Sequence, residues 1–380
     1  NDKTRSDNDY EIACGIDSSD FDWKYDSFPE ITRDRMKLYK LHVRGFSMDV
    51  SGNKKHKGTF EAVSDRINYI KKLGFTSILL MPVYEFEEMT IPVKHDIPEY
   101  AKPKYSLKDE QSVHTENDKV NFWGYTSGNY FAVKASYASD ASDASNELRR
   151  LVERLHKNGM ECIVEMYFPD RTDHNLILDA LRYWVMSFHV DGFKLLGDRL
   201  PVTAIVQDAL LSRTKILYDG FDMSVVPQNR TYENLYIDKE EYQFAARMML
   251  NHINCNMYEL LNQQKKQGEN VGFINYISSN NGFTLSDLFM YNDRHNEANG
   301  EKNADGPSWN FSNNYGVEGP TRRRYINALR KLNWRNAVLM LMLAQGVPLL
   351  WSGDEMGNSQ NGNNNAYCQD NPVSYTHLEP

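Results

Sequence analysis

The chain has 380 residues, with 43 Lys and Arg against 52 Asp and Glu, for a formal charge of −9. That balance speaks against a dedicated nucleic-acid binder, whose surface carries a basic face to neutralise phosphate. Its 41% hydrophobic and 12% aromatic content suits a globular protein with one large core or two ordinary ones. The longest apolar run, Ala337 to Ala344, is far short of the roughly 20 residues of a spanning helix, so no membrane is expected as a partner.

In chain order, residues 1–36 are polar and turn-rich and read as the tail of a preceding region or a linker. No Met and no charged-then-apolar leader opens the sequence, and a cytoplasmic location is the working expectation. From Leu38 onward the texture changes. Short apolar runs predict strands at Leu38 to Val43, Ser77 to Val83, Cys162 to Phe168, Val190 to Leu196, Lys215 to Tyr218, Phe273 to Ile277 and Val347 to Trp351. Amphipathic stretches between them predict helices at Phe60 to Leu73, Asn146 to His156, Leu176 to Met186, Tyr242 to Leu261 and Tyr325 to Leu343. Strands alternating with helices imply right-handed βαβ units and a parallel sheet.

Seven such strands, with an eighth expected between Phe221 and Ile237, fit a (β/α)8 TIM barrel over residues 37–374 better than an open dinucleotide-binding sheet. No G-x-G-x-x-G follows the first strand. A polar insertion around 87–121 follows the second strand, where catalytic loops of a barrel project, and reads as a cleft wall. The Asn-rich stretch Asn358 to Asn365 reads as a loop. Cys14, Cys162, Cys255 and Cys368 form no C-x-x-C pair and are expected to be reduced structural thiols. No metal site or cofactor is indicated; calcium finds no support, and His295 has no second His at ligand spacing. His42 and His174 read as packing or surface residues.

Several segments resemble one family. Leu38-Tyr-Lys-Leu-His-Val-Arg-Gly-Phe46, Lys57-Gly-Thr-Phe60, Leu80-Met-Pro-Val83 and Trp123-Gly-Tyr125 look like the first part of the α-amylase superfamily, glycoside hydrolase family 13. Gly282-Phe-Thr-Leu285, Tyr291 to Glu301, Gly316-Val-Glu-Gly-Pro320, Gln345-Gly-Val-Pro348 and Gly353-Asp-Glu355 continue the likeness in the same order. They are most similar to its debranching members, the isoamylases, glycogen debranching enzymes and pullulanases. The resemblance implies a barrel truncated near its C-terminal end. Residues 375–380 depart from the expected continuation and read as a foreign or non-native end.

The resemblance also implies where the chemistry should sit. Retaining glycosidases need a carboxylate nucleophile and a carboxylic acid/base about 5 to 5.5 Å apart, and the family adds a third carboxylate that holds the sugar. Here the nucleophile position is Leu196, which has no atom able to attack an anomeric carbon, and the arginine two residues before it is Lys194, without a bidentate fork. The acid/base position is Asp219, one methylene shorter than the family's Glu, enough to cost about a hundredfold through misplacement. The sugar-binding His-Asp pair is Asn280 and Asn281, which can hold hydroxyls but cannot stabilise an oxocarbenium ion by charge. Glu165, Pro169 and Asp170 replace the polar residues of the third-strand motif. Tyr84, Trp123 and Tyr125 could offer faces for pyranose rings.

Scaffold motifs kept and chemical residues changed imply an α-glucan-binding debranching-enzyme homologue, with hydrolysis lost or strongly reduced and a regulatory or scaffold role. One alternative is an active α-1,4/α-1,6-glucosidic hydrolase using displaced carboxylates, with Asp198 and Glu165 as candidates. The other is a structural interaction protein without a sugar site, which predicts an exposed apolar patch elsewhere.

Overall fold

The computed structural model describes residues 21–25, 27–49, 56–88, 119–221, 234–254, 256–266, 268 and 270–376. In chain order these form β1 (Leu38–Leu41), α1 (Val43–Ser47), α2 (Phe60–Asp65), α3 (Ile67–Lys72), β2 (Ser77–Leu80), β3 (Tyr84–Phe86), β4 (Gly128–Val133) and α4 (Ala144–Lys157). There follow β5 (Glu161–Tyr167), α5 (His174–Phe188), β6 (Gly192–Leu196), α6 (Val202–Gln207), β7 (Lys215–Leu217), β8 (Leu235–Asp238), α7 (Glu240–Leu250) and α8 (Met257–Lys265). The order ends with β9 (Gly272–Asn275), α9 (Arg324–Leu343) and β10 (Val347–Trp351). Eight strands, all but β3 and β4, close into a barrel of parallel pairs in sequence order, β10 returning to β1. The strand expected between Phe221 and Ile237 is β8, at the far end of that interval.

Two readings of the elements change. The stretch Tyr242 to Leu261 is not one helix but α7 and α8. His252 and Asn254 take positive φ between them, and Asn256 caps the second helix by accepting the Glu259 N–H. The polar leader is also not wholly a free tail. Trp23 stacks on His189 with ring centroids 3.9 Å apart, Ile31 N–H donates to Glu161, and Met36 is buried inside the barrel. Most of the 87–121 insertion lies outside the described residues, but its two ends are tied by Asn121 N–H donating to Glu88 O at 2.6 Å. Residues 377–380 also lie outside, whereas Thr376 is buried and donates its N–H to Gly45 O.

Period-2 alternation decides what each strand places inside. Tyr39, Ile78, Val164, Phe193, Ile216 and Leu350 face outward into the helix layer. Leu38, Leu79, Ile163, Leu217, Tyr236, Ile274, Val347 and Leu349 form an apolar layer within the barrel. Ionic pairs bracket that layer. Near the strands' N-terminal ends lies Lys215 with Glu161, which also accepts from Ser77 Oγ. Toward the C-terminal ends lie Lys40 with Glu165 and Lys194 with Asp238.

Above the barrel, loops 278–287 and 352–365 are stitched by buried acids. Asp354 accepts Leu285 N–H at 2.8 Å and pairs with Ser278 Oγ. Asp287 accepts Gln360 N–H at 2.7 Å. Asn296 and Asn364 exchange hydrogen bonds of 2.8 and 2.9 Å, so the Asn-rich stretch is an ordered loop. Burial raises Asp354 to about 7 and Asp287 to about 6, against opposing hydrogen bonds. A carboxyl whose folded pKa is raised contributes stability present below its unfolded pKa, about 4, and lost as pH rises through the folded value. Asp354→Asn keeps an acceptor for Leu285 N–H and sets an amide N–H against Ser278 Oγ, which turns to accept it, so the variant is expected to flatten the fall in melting temperature between pH 4 and 7. At pH 8 that variant should be the more stable protein; thermal melts across the range check this, and unchanged curves would count against it.

Candidate functional site

The C-terminal ends of the barrel strands carry a connected set of polar side chains. Lys40, the one charge in Leu38-Tyr-Lys-Leu41, points inward from β1 and ion-pairs with Glu165 of β5 at 2.6 Å; their side chains are 5% and 0% exposed. Tyr125 Oη donates to the other Glu165 oxygen at 2.6 Å and accepts from Lys40 Nζ and Asn280 Nδ2, each at 3.4 Å. Glu165 and Lys194 are neighbours in register, and Lys194 Nζ pairs with Asp238 of β8. Asp238 N–H in turn donates to Asp219 Oδ1 at 3.1 Å.

The charges in this set are largely consumed by one another. Burial pulls the Lys40 pKa down, with the Glu165 charge opposing. Burial opposes the Lys194 charge too, but Asp238 and Glu165 outweigh it and the pKa is raised. At Asp219, desolvation of the carboxyl and then the Asp238 charge raise the pKa while Lys194 lowers it. The residue itself stays exposed at the mouth, so water screens these effects.

The structure thus brings Tyr125, Lys194, Asn280 and Asp219 around one end of the barrel. Leu196 lies two residues beyond Lys194 on the same strand face, half-buried. Asn281 is exposed, its carbonyl accepting from Ser279 Oγ. Tyr84 departs from the expected role: it is fully buried and its hydroxyl donates to Thr126 O at 2.7 Å and Gly124 O at 3.1 Å. It braces the loop that presents Tyr125 rather than offering a ring face. Trp123 is 8% exposed and packs edge-on against Tyr125 and Tyr367.

His42 is buried, its Nδ1 accepting Gly45 N–H at 3.0 Å to cap α1, with Nε2 2.8 Å from Phe122 O. Desolvation lowers its pKa to about 4. It fixes the loop leading into Trp123. Asp198 is exposed and lines a small cavity of about 100 Å³ with Pro169, Asp170 and His174. The chain leaves β6 through Gly197, φ +134°, where a Cβ would meet Phe168 O at 2.1 Å; this turn carries Asp198 to the rim. An adjoining open depression of about 560 Å³ is lined by Arg199, Leu200, Val202, Tyr218 and Gly220. Neither hollow is lined by Glu165, Tyr125 or Lys194.

Sequence reasoning missed Lys40 and Asp238. The available signal was a lone charge in an otherwise apolar strand, in Leu38-Tyr-Lys-Leu41 and again at the end of Leu235-Tyr-Ile-Asp238. Among the described residues no group of three His, Cys, Asp or Glu is arranged to hold a metal ion, and no helix is long and apolar enough to cross a membrane.

Residues 44–175 match the family model of the alpha amylase catalytic domain. The chain is 28% identical over 462 residues to chloroplastic isoamylase 1 of Arabidopsis thaliana, covering 96% of this chain and 56% of that protein. It is 30% identical over 437 residues to the glycogen operon protein GlgX homolog of Mycobacterium tuberculosis, covering 93% and 56%. The chain therefore spans about half the length of the curated relatives it matches. Among solved structures, apo pullulanase from Paenibacillus barengoltzii superposes with a TM-score of 0.62 at 17% identity, over 93% of this chain and 60% of that one. The same enzyme in complex with maltohexaose and alpha-cyclodextrin gives a TM-score of 0.57 at 18% identity, over 93% and 60%. At these identities the structural likeness speaks for the fold.

Proposed function

The chain belongs to the α-amylase superfamily, glycoside hydrolase family 13, and from that premise we propose that it is a debranching-enzyme-like α-glucan-binding barrel that no longer performs the double displacement. The observation that carries this reading is the state of the barrel's catalytic end. We assign Leu196 to the nucleophile position, and Glu165, which could have served as a displaced carboxylate, is held by Lys40 and Tyr125. A nucleophile must be free to approach the anomeric carbon within about 3 to 3.5 Å. A carboxylate with both oxygens engaged inside a barrel is not.

Sugar binding is supported by the relatives, one solved with maltohexaose, by the exposed amide of Asn281 and by the half-buried Tyr125 ring beside Asn280. Uncharged amides and a phenol suit recognition of sugar hydroxyls without supplying charge to a transition state.

The test incubates the protein with pullulan, glycogen and maltooligosaccharides, reading new reducing ends alongside calorimetric binding. The expected result is binding without turnover, with affinity about tenfold lower in Tyr125→Ala, whose folding is followed by melting. Turnover that disappears in Asp219→Asn would instead establish the active alternative, which the raised Asp219 pKa beside Asp238 favours. Neither binding nor turnover would leave the interaction protein.

A further inference from the structure

The buried side of α7 carries a polar column. Gln243, Arg247 and Asn251 follow one another at four-residue spacing and so share one face of the helix line. They are only 6%, 3% and 2% exposed. All three donate to main-chain carbonyls of the irregular chain that runs from β9 to α9. Gln243 Nε2 and Arg247 Nε meet at Ile277 O, at 3.3 and 2.6 Å. Arg247 Nη1 donates to Asn310 O at 3.4 Å, and Asn251 Nδ2 to Phe311 O at 2.7 Å. The column therefore ties two separate stretches of that chain to one helix, with Arg247 holding both.

The turn that presents Asn280 and Asn281 starts at the first of these stretches. Its far end is fixed by Gly282 N–H donating to Asn364 O at 2.9 Å, and Asn364 Nδ2 donates to Asn310 Oδ1 at 3.0 Å. Both ends of the turn thus lead to Asn310, one through Arg247 and the other through Asn364. Gly282 takes φ +112°, where side chains are rarely tolerated, and a Cβ there would lie 3.6 Å from Arg247 Nη2.

Stability alone gives no reason for a guanidinium at this place. Its hydrogen-bond partners among the described residues are carbonyl oxygens, and Nη2 has none there. Burial pulls its pKa down to about 10, so it is still charged at neutral pH, and desolvating that charge is costly. A neutral amide such as Gln243 already reaches Ile277 O. What the planar fork adds is direction: donors fixed relative to one another hold carbonyls of two chain segments at a set separation. On the reading of the barrel mouth as a sugar site, we infer that Arg247 is a positioning residue for glucan recognition, acting through Ile277 and Asn310 to hold Asn281 where it meets a sugar hydroxyl.

The experiment uses the 380-residue chain with Arg247→Gln, which removes the charge and the fork, and Arg247→Lys, which keeps the charge and one donor. Hydrogen exchange read by mass spectrometry is expected to be about tenfold faster in segment 277–285 of Arg247→Gln, with the barrel strands unchanged. Calorimetry with maltohexaose should show affinity about tenfold lower in Arg247→Gln and about threefold lower in Arg247→Lys. In Arg247→Gln/Asn281→Ala the loss should not exceed the larger of the two single losses, because both changes remove the same contact; a merely structural role would give losses that add. If Arg247→Gln does not fold, Arg247→Lys carries the same comparisons. Unaltered exchange in 277–285, faster exchange spread over the whole barrel, or additive losses in a parent that binds maltohexaose would overturn this assignment alone. A parent that binds no maltohexaose would sink the sugar reading and the glucan role of Arg247 with it.

Discussion

Lys40→Met is expected to lower the unfolding free energy by about 3–5 kcal/mol, the cost of leaving one charge of a buried pair without its partner. Lys40 and Glu165 are almost wholly enclosed, so water cannot take over the missing role. Tyr125 would still donate one hydrogen bond to Glu165, but a phenol supplies no charge. With its ammonium gone, Glu165 is left as a buried charge without a charged partner. Adding Glu165→Gln keeps an acceptor for Tyr125 while removing the unpaired charge, and Lys40→Met/Glu165→Gln should recover most of the stability. Denaturant unfolding of the four proteins in this cycle gives the answer. If Lys40→Met proved as stable as its parent at neutral pH, the ion pair would not be holding the barrel's upper end.

That pair also shows how far the sequence could be read. The alternation of apolar strands with amphipathic helices came through because parallel strands buried on both faces must be apolar throughout, and the helices must bury one stripe. The break between α7 and α8 was hidden because Tyr242 to Leu261 keeps enough helical periodicity to mask the turn at His252 and Asn254. At the site, family spacing located Lys194, Asp219, Asn280 and Tyr125, which the fold does gather. Spacing within one strand could not show that Glu165 is met by Lys40, because β1 and β5 are separated in the barrel by β2. Nor could it show that Lys194 is met by Asp238, across from β6 to β8. Tyr84 was misjudged for a related reason: aromatic character favours a sugar platform and a core residue equally, and only the closure of β3 on β4 places it in the core.

The same cross-barrel pairing governs what happens when an acid is introduced at Leu196. Leu196→Asp is expected to leave reducing-end production at background, although removing a nucleophile from a working hydrolytic site can cost about a millionfold. Lys40 and Lys194 already face Glu165, Asp238 and Asp219, two cations against three carboxylates, so a fourth acid arrives without a partner. Its ionised form would be disfavoured by like charge and by partial burial, leaving the carboxylic acid, a poor nucleophile. Lys194 cannot switch to it without releasing Asp238, whose Oδ1 is already buried without a hydrogen-bond partner. The introduced group should therefore also lower the melting temperature, by an amount on the order of 1–3 kcal/mol in stability. A rise in melting temperature, or turnover from this single change, would mean that the upper barrel has charge to spare. Under the proposed reading, the changes assigned to Leu196, Lys194, Asp219 and Asn281 would then be four separate losses rather than one rebuilt electrostatic arrangement.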